Sequence, residues 1–364
     1  MDSLFPVFPV GTVFKEFDAI LSDTFPLELK YKKVTVKFPM RLNGMSIDSS
    51  AIALEGVTSF PAGEISFAIE KFISATISVS GDKKLHISEN IKRRSIIEHA
   101  CLVMCKALKV EPFFDIDVVC DNLKIHSGFG TSGATMGAVC AAINEMYGNP
   151  INCVDLIKYI ANNYGEEVGN DDNKLQLVQC IGGSIACGLM PGGITIITGD
   201  ATPIVSERYE TEVIIGTPTD FYPKSAKEMM ELEESHLESF EIHGKRYAFQ
   251  IAYDLLHKGL PNLKCGNIDP ICDIIFRHRF KMGSIKNCSF VYPQLVKISE
   301  NIEHLYTDKL CKLLSLSSVG PSFFVIPDGD KKHEQICIET LMSQGMSVIK
   351  TAIFNRLYIV NFKE

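Results

Sequence analysis

Apolar and polar residues alternate early in the chain, as they do in strands that are buried on one face. The alternation is strict over residues 33–37 and recurs within residues 65–80. Residues 95–108 carry apolar side chains at helical spacing instead, and a further strand is predicted over residues 114–120. The first third of the chain therefore mixes strands with helices.

Two helices are predicted after that strand, over residues 134–147 and 153–164. The sequence Gly148-Asn-Pro150 separates them, because glycine and proline both interrupt regular helix. Residues 185–198 are largely apolar around a Pro-Gly-Gly turn, which predicts strands on both sides of it. The predicted order in this part of the chain is helix, helix and then strands.

The character of the sequence changes after residue 200. A short buried strand is predicted over residues 212–218, an acidic helix over residues 225–238 and a further helix over residues 250–260. The chain ends with a predicted helix over 331–345 and strands over 346–351 and 357–362. A strand, a helix and further strands in this order predict an α+β sandwich.

Length and composition fit two globular units. The chain has 364 residues, of which 46% are hydrophobic and 22% are charged, and a chain of this kind can bury a large core. Because the character changes after residue 200, we expect one unit at residues 1–200 and a second at residues 201–364.

Charge and apolar runs argue against two classes of partner. The formal net charge is −8, and no long basic run offers the positive face that nucleic-acid binding usually needs. No apolar run approaches the roughly 20 residues of a membrane helix, and no signal peptide is recognisable. The twelve scattered cysteines are typical of buried, reduced thiols. We therefore expect a cytoplasmic protein that binds neither nucleic acid nor membrane.

The most informative segment is Lys124-Ile-His-Ser-Gly-Phe-Gly-Thr-Ser-Gly-Ala134, which lies between a predicted strand and a predicted helix. Its glycines allow a sharp turn and a close approach of the backbone to a ligand. The free N–H groups of a first helical turn, together with the helix dipole, favour phosphate oxygens. The segment is not a Walker A loop, because no lysine follows its last glycine. It predicts a phosphorylated ligand without identifying it.

Two further segments stand out from the apolar background. The first is Phe38-Pro-Met-Arg-Leu-Asn-Gly-Met-Ser-Ile-Asp48, and the second is the small-residue turn Ser317-Ser-Val-Gly-Pro-Ser322. With the glycine-rich loop between them, these segments resemble the three motifs of the GHMP kinase superfamily, in the same order. The resemblance implies an α+β, two-lobed GHMP kinase-like fold with the phosphate loop at a helix N-terminus and a C-terminal α+β sandwich lobe.

In that superfamily the three motifs meet at one nucleotide or phosphate cleft between the lobes. The resemblance therefore implies phosphate-binding roles for the residues of the loop and of the turn. These residues are Ser127, Gly128, Phe129, Gly130, Thr131, Ser132, Gly133, Ala134, Ser317, Ser318 and Gly320.

Within the superfamily, the first and third motifs are similar to those of archaeal β-ribofuranosylaminobenzene 5′-phosphate synthase. Arg41 and Ile47-Asp48 stand at the spacing of that family, and His126 matches a histidine before its loop. The turn Ser317-Ser-Val-Gly-Pro321 resembles its Ser-Ser-Trp-Gly-Pro turn. This resemblance makes the synthase our leading prediction.

The resemblance implies a C-glycoside synthase that joins ribose 5-phosphate from phosphoribosyl pyrophosphate to an aromatic or heterocyclic acid, with loss of carbon dioxide and pyrophosphate. It implies catalytic roles for Arg41, Asp48, His126 and Asp172. Asp48 would hold the Mg²⁺ cofactor against the pyrophosphate. Arg41 would pair with a phosphate or a carboxylate, and His126 would contact the ribose phosphate or transfer protons.

The rival resemblance is to pantoate kinase, an ATP-dependent small-molecule kinase. Its loop is nearly identical to residues 127–134, and its Gln-Tyr-Ile-Gly-Gly resembles Gln179-Cys-Ile-Gly-Gly183. Such kinases commonly have an aspartate seven residues before the first of those glycines, and that position is Leu175 here. Asp171 or Asp172 replaces it only if the intervening loop bulges.

The chain also departs from the synthase family. Asn43 stands where that family has histidine, and Ala134 stands where it has glutamine. We still expect Asn43 and Asp171 to contact the substrate. The departures leave open a third class, a non-catalytic relative that binds a nucleotide. The superfamily often dimerises, which implies a homodimer.

Plain structural roles stay open for the same residues. Arg41 and Asp48 can form a structural ion pair, and His126 can brace the loop through a backbone hydrogen bond. The cluster Arg277-His278-Arg279 is interpreted as surface charge, although it could reach a phosphate from the second lobe.

Overall fold

The structure, a computed structural model, describes residues 6–17, 27–53, 62–89, 93–121, 126–168, 173–178 and 180–363. The first half of the chain contains, in order, β1 (Val7–Pro9), β2 (Lys33–Ser46), a 3-10 helix (Ser49–Ala53), β3 (Glu64–Val79), β4 (His86–Ile87), α1 (Arg94–Leu108), β5 (Phe114–Cys120), α2 (Thr131–Met146), α3 (Cys153–Asn162), β6 (Gly165–Glu167), β7 (Lys174–Leu177), α4 (Gly183–Leu189), β8 (Ile194–Thr198) and β9 (Thr202–Glu207).

The second half begins with β10 (Glu212–Pro218) and continues with a long helical segment. This segment contains α5 (Ala226–Glu234), α6 (Leu237–Asp254), a π-helical turn (Leu255–Gly259), α7 (Leu260–Lys264), α8 (Asp269–Phe276), a second π-helical turn (Arg277–Lys281), α9 (Ser284–Asn287), α10 (Leu295–Ile302) and α11 (His304–Thr307). It is followed by β11 (Cys311–Leu316), β12 (Phe323–Pro327), α12 (Lys331–Ser343), β13 (Met346–Ala352) and β14 (Ile359–Lys363).

Most predicted elements are confirmed, and one is wrong. The strand expected over residues 114–120 is β5, and the helix expected over residues 95–108 is α1. Residues 185–189, the first part of the segment predicted as strands, belong to α4 (Gly183–Leu189) instead. Every residue of α4 is buried, so its sequence shows no alternation, and periodicity cannot distinguish a short buried helix from a buried strand.

The large sheet carries the first motif and supports two helices. Its strands lie in the order β14-β2-β3-β5-β4, with β8 beside β3 and β9 beside β8. The ring of Phe38, on β2, packs against both α2 and α4. A Cβ atom on Gly137 of α2 would lie 2.5 Å from Cζ of Phe38, and one on Gly188 of α4 would lie 2.3 Å from it. The two helices therefore approach the sheet closely because both positions are glycine.

The second sheet has the order β11-β12-β10-β13 and, with α12, forms the C-terminal lobe. All its strand pairs are antiparallel, as the predicted α+β sandwich requires. Two features link the halves of the chain: β9 pairs with β8 across residue 200, and β14 returns to pair with β2 in the first sheet. The division into domains at residues 1–200 and 201–364 stays a prediction.

The helical segment between β10 and β11 is larger than the sequence suggested. Only its parts near residues 225–238 and 250–260 had been predicted as helix, whereas helices continue to Thr307. The inner face of α6 packs against the 3-10 helix: a Cβ on Gly244 would lie 2.1 Å from the backbone nitrogen of Ser50. In the part of the chain that the structure describes, no helix has both the length and the apolar character needed to cross a membrane.

His99, on α1, connects the N-terminal segment to the core in one protonation state only. Its Nδ1 accepts the backbone N–H of Gly11 (2.9 Å), so the proton is on Nε2, which donates to the carbonyl of Asn163 (2.7 Å). A second proton on Nδ1 would face the N–H group of Gly11, so the folded protein disfavours the charged imidazolium. Burial lowers the pKa of His99 to about 4.

The free energy of unfolding is therefore expected to fall as the pH falls from about 6.5 towards 4. The unfolded chain binds a proton at His99 in this range and the folded chain does not, so stability is lost on acidification, by up to about 3 kcal/mol. Urea unfolding at several pH values measures the slope. His99→Gln should reduce it, and the same change at exposed His304 should leave it as in the wild type. Equal slopes in all three proteins would contradict this prediction.

Candidate active site

The glycine-rich loop forms the N-terminus of α2, as predicted. Gly130 precedes the helix with a φ of 63°, and Gly128 has a φ of 96°, a conformation that favours glycine. No side chain caps this end of α2, so N–H groups of the first turn are left to a ligand. The loop borders a cavity of about 320 Å³ through Gly128, Phe129, Gly130, Thr131, Ser132 and Gly133.

The N-terminus of α4 meets that of α2 at this cavity. A Cβ on Gly133 would lie 2.0 Å from Oγ of Ser184, the second residue of α4. Gly182 precedes α4 with a φ of 97°, and no side chain caps this helix either. Two helix N-termini therefore meet at one cavity. The uncapped N–H groups of α2 favour the binding of phosphate oxygens there, whereas the start of α4 is approached by the carboxylate of Glu64. In the sequence, the N-terminus of α4 is marked by the pair Gly182-Gly183.

Ser317 joins the three sequence motifs. Its hydroxyl donates to the carbonyl of Gly128 (2.6 Å) and accepts the backbone N–H of Asn43 (3.0 Å). A Cβ on Gly128 would lie 2.6 Å from the carbonyl oxygen of Ser317. Ser318 and Gly320, in the same turn, border the cavity. The segments that are far apart in sequence thus lie together around one space.

Arg41 lies beside the loop with part of its guanidinium unpaired. Its backbone N–H donates to the carbonyl of Phe129 (3.1 Å), and its Nε lies 3.6 Å from Oε1 of Glu64. Nε and Nη1 are buried and lack a hydrogen-bond partner among the described residues. A Cβ on Gly130 would lie 3.2 Å from Nε. Buried donors of this kind are normally satisfied, so Arg41 is well placed to receive an anionic oxygen at the loop.

Glu64 is the buried carboxylate opposite Arg41. It is 1% exposed and accepts hydrogen bonds from the hydroxyl of Ser66 and the side-chain amide of Asn43. A Cβ on Gly183 would lie 1.4 Å from Oε1, so the carboxylate reaches the start of α4 only because residue 183 is glycine. Sequence reasoning gave Glu64 no role. The available signal was a charged residue at the start of an apolar strand.

Arg279 closes the cavity from the helical segment. It is 4% exposed and donates to the carbonyl of Gly44 (2.7 Å) and to Oδ1 of Asn43 (3.0 Å). These partners are neutral, and although burial lowers the pKa of Arg279 to about 10, the side chain is charged at neutral pH. The interpretation of residues 277–279 as surface charge is therefore wrong for Arg279 and for His278, which is 3% exposed, because the helical segment folds both inward.

Two neutral histidines lie on the same side of the cavity. Burial lowers the pKa of His243 to about 4 and that of His278 well below its usual value, and the charge of Arg279 adds to both effects. The two rings are 5.1 Å apart. Nε2 of His243 is buried and has no hydrogen-bond partner among the described residues. This end of the cavity therefore has the positive charge of Arg279 and the free Nε2 atom of His243. Glu233 also borders the cavity, and burial raises its pKa to about 7.

The opposite wall is acidic. Nη2 of Arg93 lies 2.8 Å from Glu166, and its Nε lies 3.3 Å from Glu167. The hydroxyl of Tyr164 also donates to Glu166. Burial alone would raise the pKa of Glu166, but the charge of Arg93 and the hydrogen bonds from Tyr164 and Ser132 lower it, so Glu166 is ionised. Two carboxylates thus share one guanidinium, and of these three side chains only Glu166 borders the cavity.

Other predicted loop residues divide into lining and supporting positions. His126 borders the cavity, and burial lowers its pKa. The hydroxyl of Ser132 interacts with Glu166, and that of Thr131 accepts a hydrogen bond from Nη1 of Arg93 (3.1 Å). Ser127 and Ala134, both 0% exposed, do not border the cavity. They support the loop from the protein side.

Asp48 is not among the residues that border the cavity. Its Oδ1 accepts hydrogen bonds from the backbone N–H (2.8 Å) and the hydroxyl (2.6 Å) of Ser50. Asp48 therefore lies just before the 3-10 helix and interacts with its first turn. Arg41 is near Glu64 rather than Asp48, so the suggested Arg41–Asp48 ion pair is wrong. Asp171 and Asp172 lie outside the described residues, and their predicted roles stay predictions.

Comparison with known proteins agrees with this geometry. Residues 95–178, which include the loop and α2, match a family described as GHMP kinases N terminal domain. No curated protein sequence matches the chain.

Solved structures match over most of the chain at low sequence identity. A homoserine kinase from Cytophaga hutchinsonii is 14% identical with a TM-score of 0.60, covering 93% of this chain and 100% of that chain. The L. major mevalonate kinase, solved with R-mevalonate, is 10% identical with a TM-score of 0.59, covering 91% and 99%. A phosphotransferase related to the CoA biosynthesis pathway is 13% identical with a TM-score of 0.59, also covering 91% and 99%.

These matches show a two-lobed GHMP kinase fold, with residues 95–178 as the GHMP N-terminal domain. The GHMP kinase-like fold that the sequence resemblance implied is therefore confirmed. The narrower resemblance to the C-glycoside synthase is not confirmed, since the similar structures are kinases.

Proposed function

We propose that the protein is an ATP-dependent kinase that transfers a phosphoryl group to a hydroxyl of a small anionic compound. The observation that carries this proposal is the meeting of the uncapped N-terminus of α2 with the guanidinium group of Arg41, whose buried Nε and Nη1 atoms lack a hydrogen-bond partner among the described residues. Phosphoryl transfer relies mainly on positioning and on the stabilisation of charge on the transferred group. Helical N–H groups would hold the nucleotide phosphates, and Arg41 would stabilise the phosphoryl group in transit.

Mg²⁺ is the proposed cofactor, and the acidic wall fits it. The ionised carboxylate of Glu166 meets the hydroxyl of Ser132 at the loop, and Mg²⁺ usually takes one or two carboxylates together with phosphate oxygens. The described residues contain no cluster of three or more acidic, histidine or cysteine side chains that could hold a metal alone, so phosphates would complete the site. When bound, the ion would neutralise phosphate charge. Asp48 as its ligand stays a prediction that this geometry does not favour.

The basic end of the cavity would hold the acceptor. A buried positive charge without a carboxylate partner is unfavourable unless a ligand supplies the negative charge. Arg279 would therefore bind an anionic group of the acceptor, a carboxylate being the simplest. Glu64 and Nε2 of His243 would orient its hydroxyl towards the transferred phosphoryl group.

The C-glycoside synthase is the second candidate. The observation that favours it is the contact of Ser317 with both Asn43 and Gly128, which brings together the three motifs that carried the resemblance. The same loop would bind pyrophosphate, and Arg279 would bind the aromatic acid. The two candidates therefore differ in the donor, phosphoribosyl pyrophosphate or ATP.

The donor can be identified by thermal unfolding with ATP or with phosphoribosyl pyrophosphate, each with Mg²⁺, on one preparation. A ligand at a hundred times its dissociation constant adds roughly 2.7 kcal/mol of stability. We expect a shift with ATP and none with phosphoribosyl pyrophosphate, followed by ADP release when hydroxy acids are added. A shift with phosphoribosyl pyrophosphate alone would overturn the kinase in favour of the synthase. A shift with ATP, but no ADP release with any acceptor, would favour the non-catalytic relative.

A further inference from the structure

Glu233, on α5, is a carboxylate that borders the cavity and has no partner within the described chain. Other glutamates of this helix are engaged elsewhere: Glu228 completes a capping box with Ser225, and Glu231 lies 4.0 Å from the ammonium group of Lys227. The half-buried side chain of Glu233 forms neither a hydrogen bond nor an ion pair with the residues that the structure describes. A carboxylate withdrawn from water without a partner is unfavourable in its charged form. Glu233 is therefore left to interact with a molecule inside the cavity.

Glu233 lies at the end of the cavity that Arg279 closes. Both charges act on the thiol of Cys288, which also borders the cavity and is 2% exposed. Burial raises the pKa of Cys288 to about 11, and the charge of Arg279 opposes this rise whereas that of Glu233 adds to it. Burial alone accounts for the raised pKa of Glu233, so Arg279 does not neutralise this carboxylate by pairing with it. An acceptor held by Arg279 would therefore share this end of the cavity with an unpaired carboxylate.

The two other described carboxylates that border the cavity are occupied. Glu64 accepts hydrogen bonds from two neighbouring side chains and lies 3.6 Å from Nε of Arg41. Glu166 pairs with Arg93 and accepts hydrogen bonds from two hydroxyl groups. Carboxylate oxygens that already accept hydrogen bonds are poorly available for a further proton. Glu233 differs from both because its oxygens are not used in this way.

The remaining titratable groups around the cavity do not exchange protons as readily near neutral pH. The titratable and charged groups that surround Glu233 are Glu166 and Glu167 on β6, which packs against α5, Arg41 and Glu64 on β2 and β3, His126, Tyr164, Cys180, His243, His278, Arg279 and Cys288. Burial lowers the pKa of all three histidines, so their imidazoles are weak bases. Burial raises the pKa of the two thiols and of the tyrosine, which therefore stay protonated. Of the groups whose pKa is shifted, Glu233 is the one that gains and loses a proton near pH 7.

We propose that Glu233 is a catalytic base that accepts the proton of the acceptor hydroxyl, an inference that rests on the kinase function proposed above. The O–H bond of the acceptor breaks, and its proton passes to a carboxylate oxygen of Glu233. The electron pair of the acceptor oxygen forms a bond to the γ-phosphorus of ATP, and the bond from that phosphorus to the bridging oxygen breaks, so that ADP leaves with the electron pair. Water removes the proton from Glu233 after the product has left. A base whose proton affinity matches the working pH suits this step.

Single-turnover rates of ADP formation as a function of pH test the proposal with two matched variants. Glu233→Gln keeps the shape of the side chain but removes its basic oxygen, and Glu231→Gln makes the same change at an exposed residue of α5 that does not border the cavity. We expect the wild-type rate to fall about tenfold per pH unit on the acid side of about pH 7. Glu233→Gln should lack this fall and be about 100-fold slower at about pH 8, the lower end of the range for general-base catalysis. Glu231→Gln should match the wild type.

Binding measurements separate the base from a structural role. The thermal shift caused by ATP should be the same in all three proteins, because Glu233 would contact the acceptor and not the nucleotide. Glu233→Asp keeps a carboxylate on a shorter side chain, so it should retain the fall in rate at low pH while being slower than the wild type. A residue that only supports the fold would change the melting temperature without changing the shape of the pH profile.

Failure of the base and failure of the kinase function give different results. A wild type that binds ATP but forms no ADP with any acceptor overturns the kinase function and, with it, the base. If the wild type forms ADP and Glu233→Gln keeps its rate, the kinase function stands and Glu233 is not the base. A slow Glu233→Gln that retains the fall in rate at low pH assigns the proton to another group. A variant that raises only the KM for the acceptor assigns Glu233 to acceptor binding and overturns its role as the base.

Discussion

Gly130→Ala is expected to lower ATP-dependent turnover by at least about 100-fold, comparable with the loss of one or more phosphate-binding donors. Gly130 has a φ of 63°, and a Cβ there would lie 2.8 Å from Cβ of Ser184 and 2.9 Å from Cγ of Arg41. The methyl group would therefore separate the two helix N-termini and displace Arg41 from the loop. Steady-state turnover at saturating ATP, with the thermal shift caused by ATP, measures both losses.

The matched control is Gly266→Ala. Gly266 also has a positive φ, 78°, but nothing lies within 4 Å of the position of its Cβ. Both variants carry the strain of a left-handed alanine, about 1–2 kcal/mol, and only one of them crowds the site. If the two variants lose turnover equally, general destabilisation explains the loss and the loop has no special role.

Arg41→Ala is expected to lower kcat by about a thousandfold, the lower end of the range for an arginine that stabilises a transferred phosphoryl group. The buried Nε and Nη1 atoms lack partners in the described residues, so the reacting phosphate is the group that they would bind. Arg41→Lys should recover little of the loss, because an ammonium group lacks the planar fork of donors. Arg356→Ala, at an exposed position, should leave kcat unchanged.

A double substitution separates catalysis from folding. Arg41→Ala leaves the 1% exposed carboxylate of Glu64 without its nearest positive charge, so we expect it to lower the melting temperature. Adding Glu64→Gln removes that buried charge and should restore stability without restoring kcat. If kcat returns together with stability, Arg41 acts only by holding the fold, and its proposed role in transfer is wrong.

Local sequence patterns determined the parts of the fold that depend on neighbouring residues. The strand at residues 114–120, the loop after it and the helix from Thr131 follow directly from alternation, glycine content and small-residue composition. The pattern failed at α4, where complete burial removes the periodic signal. It also underestimated the helical segment, which consists of several short helices and two π-helical turns rather than a few long regular helices.

The sequence by itself determined the α+β class, the resemblance to the GHMP kinase fold and the glycine-rich loop at a helix N-terminus, because these depend on residues that are consecutive in the chain. Only the tertiary structure decided which charged side chains share the cavity. Arg279 donates a hydrogen bond to Asn43, which is 236 positions away in the sequence. Glu64 reaches the start of α4 because residue 183 is glycine and has no Cβ. Asp48 accepts hydrogen bonds from Ser50 and does not border the cavity. The physical reason is that the burial and pairing of a charge depend on groups brought together by folding, and no pattern of neighbouring residues records them.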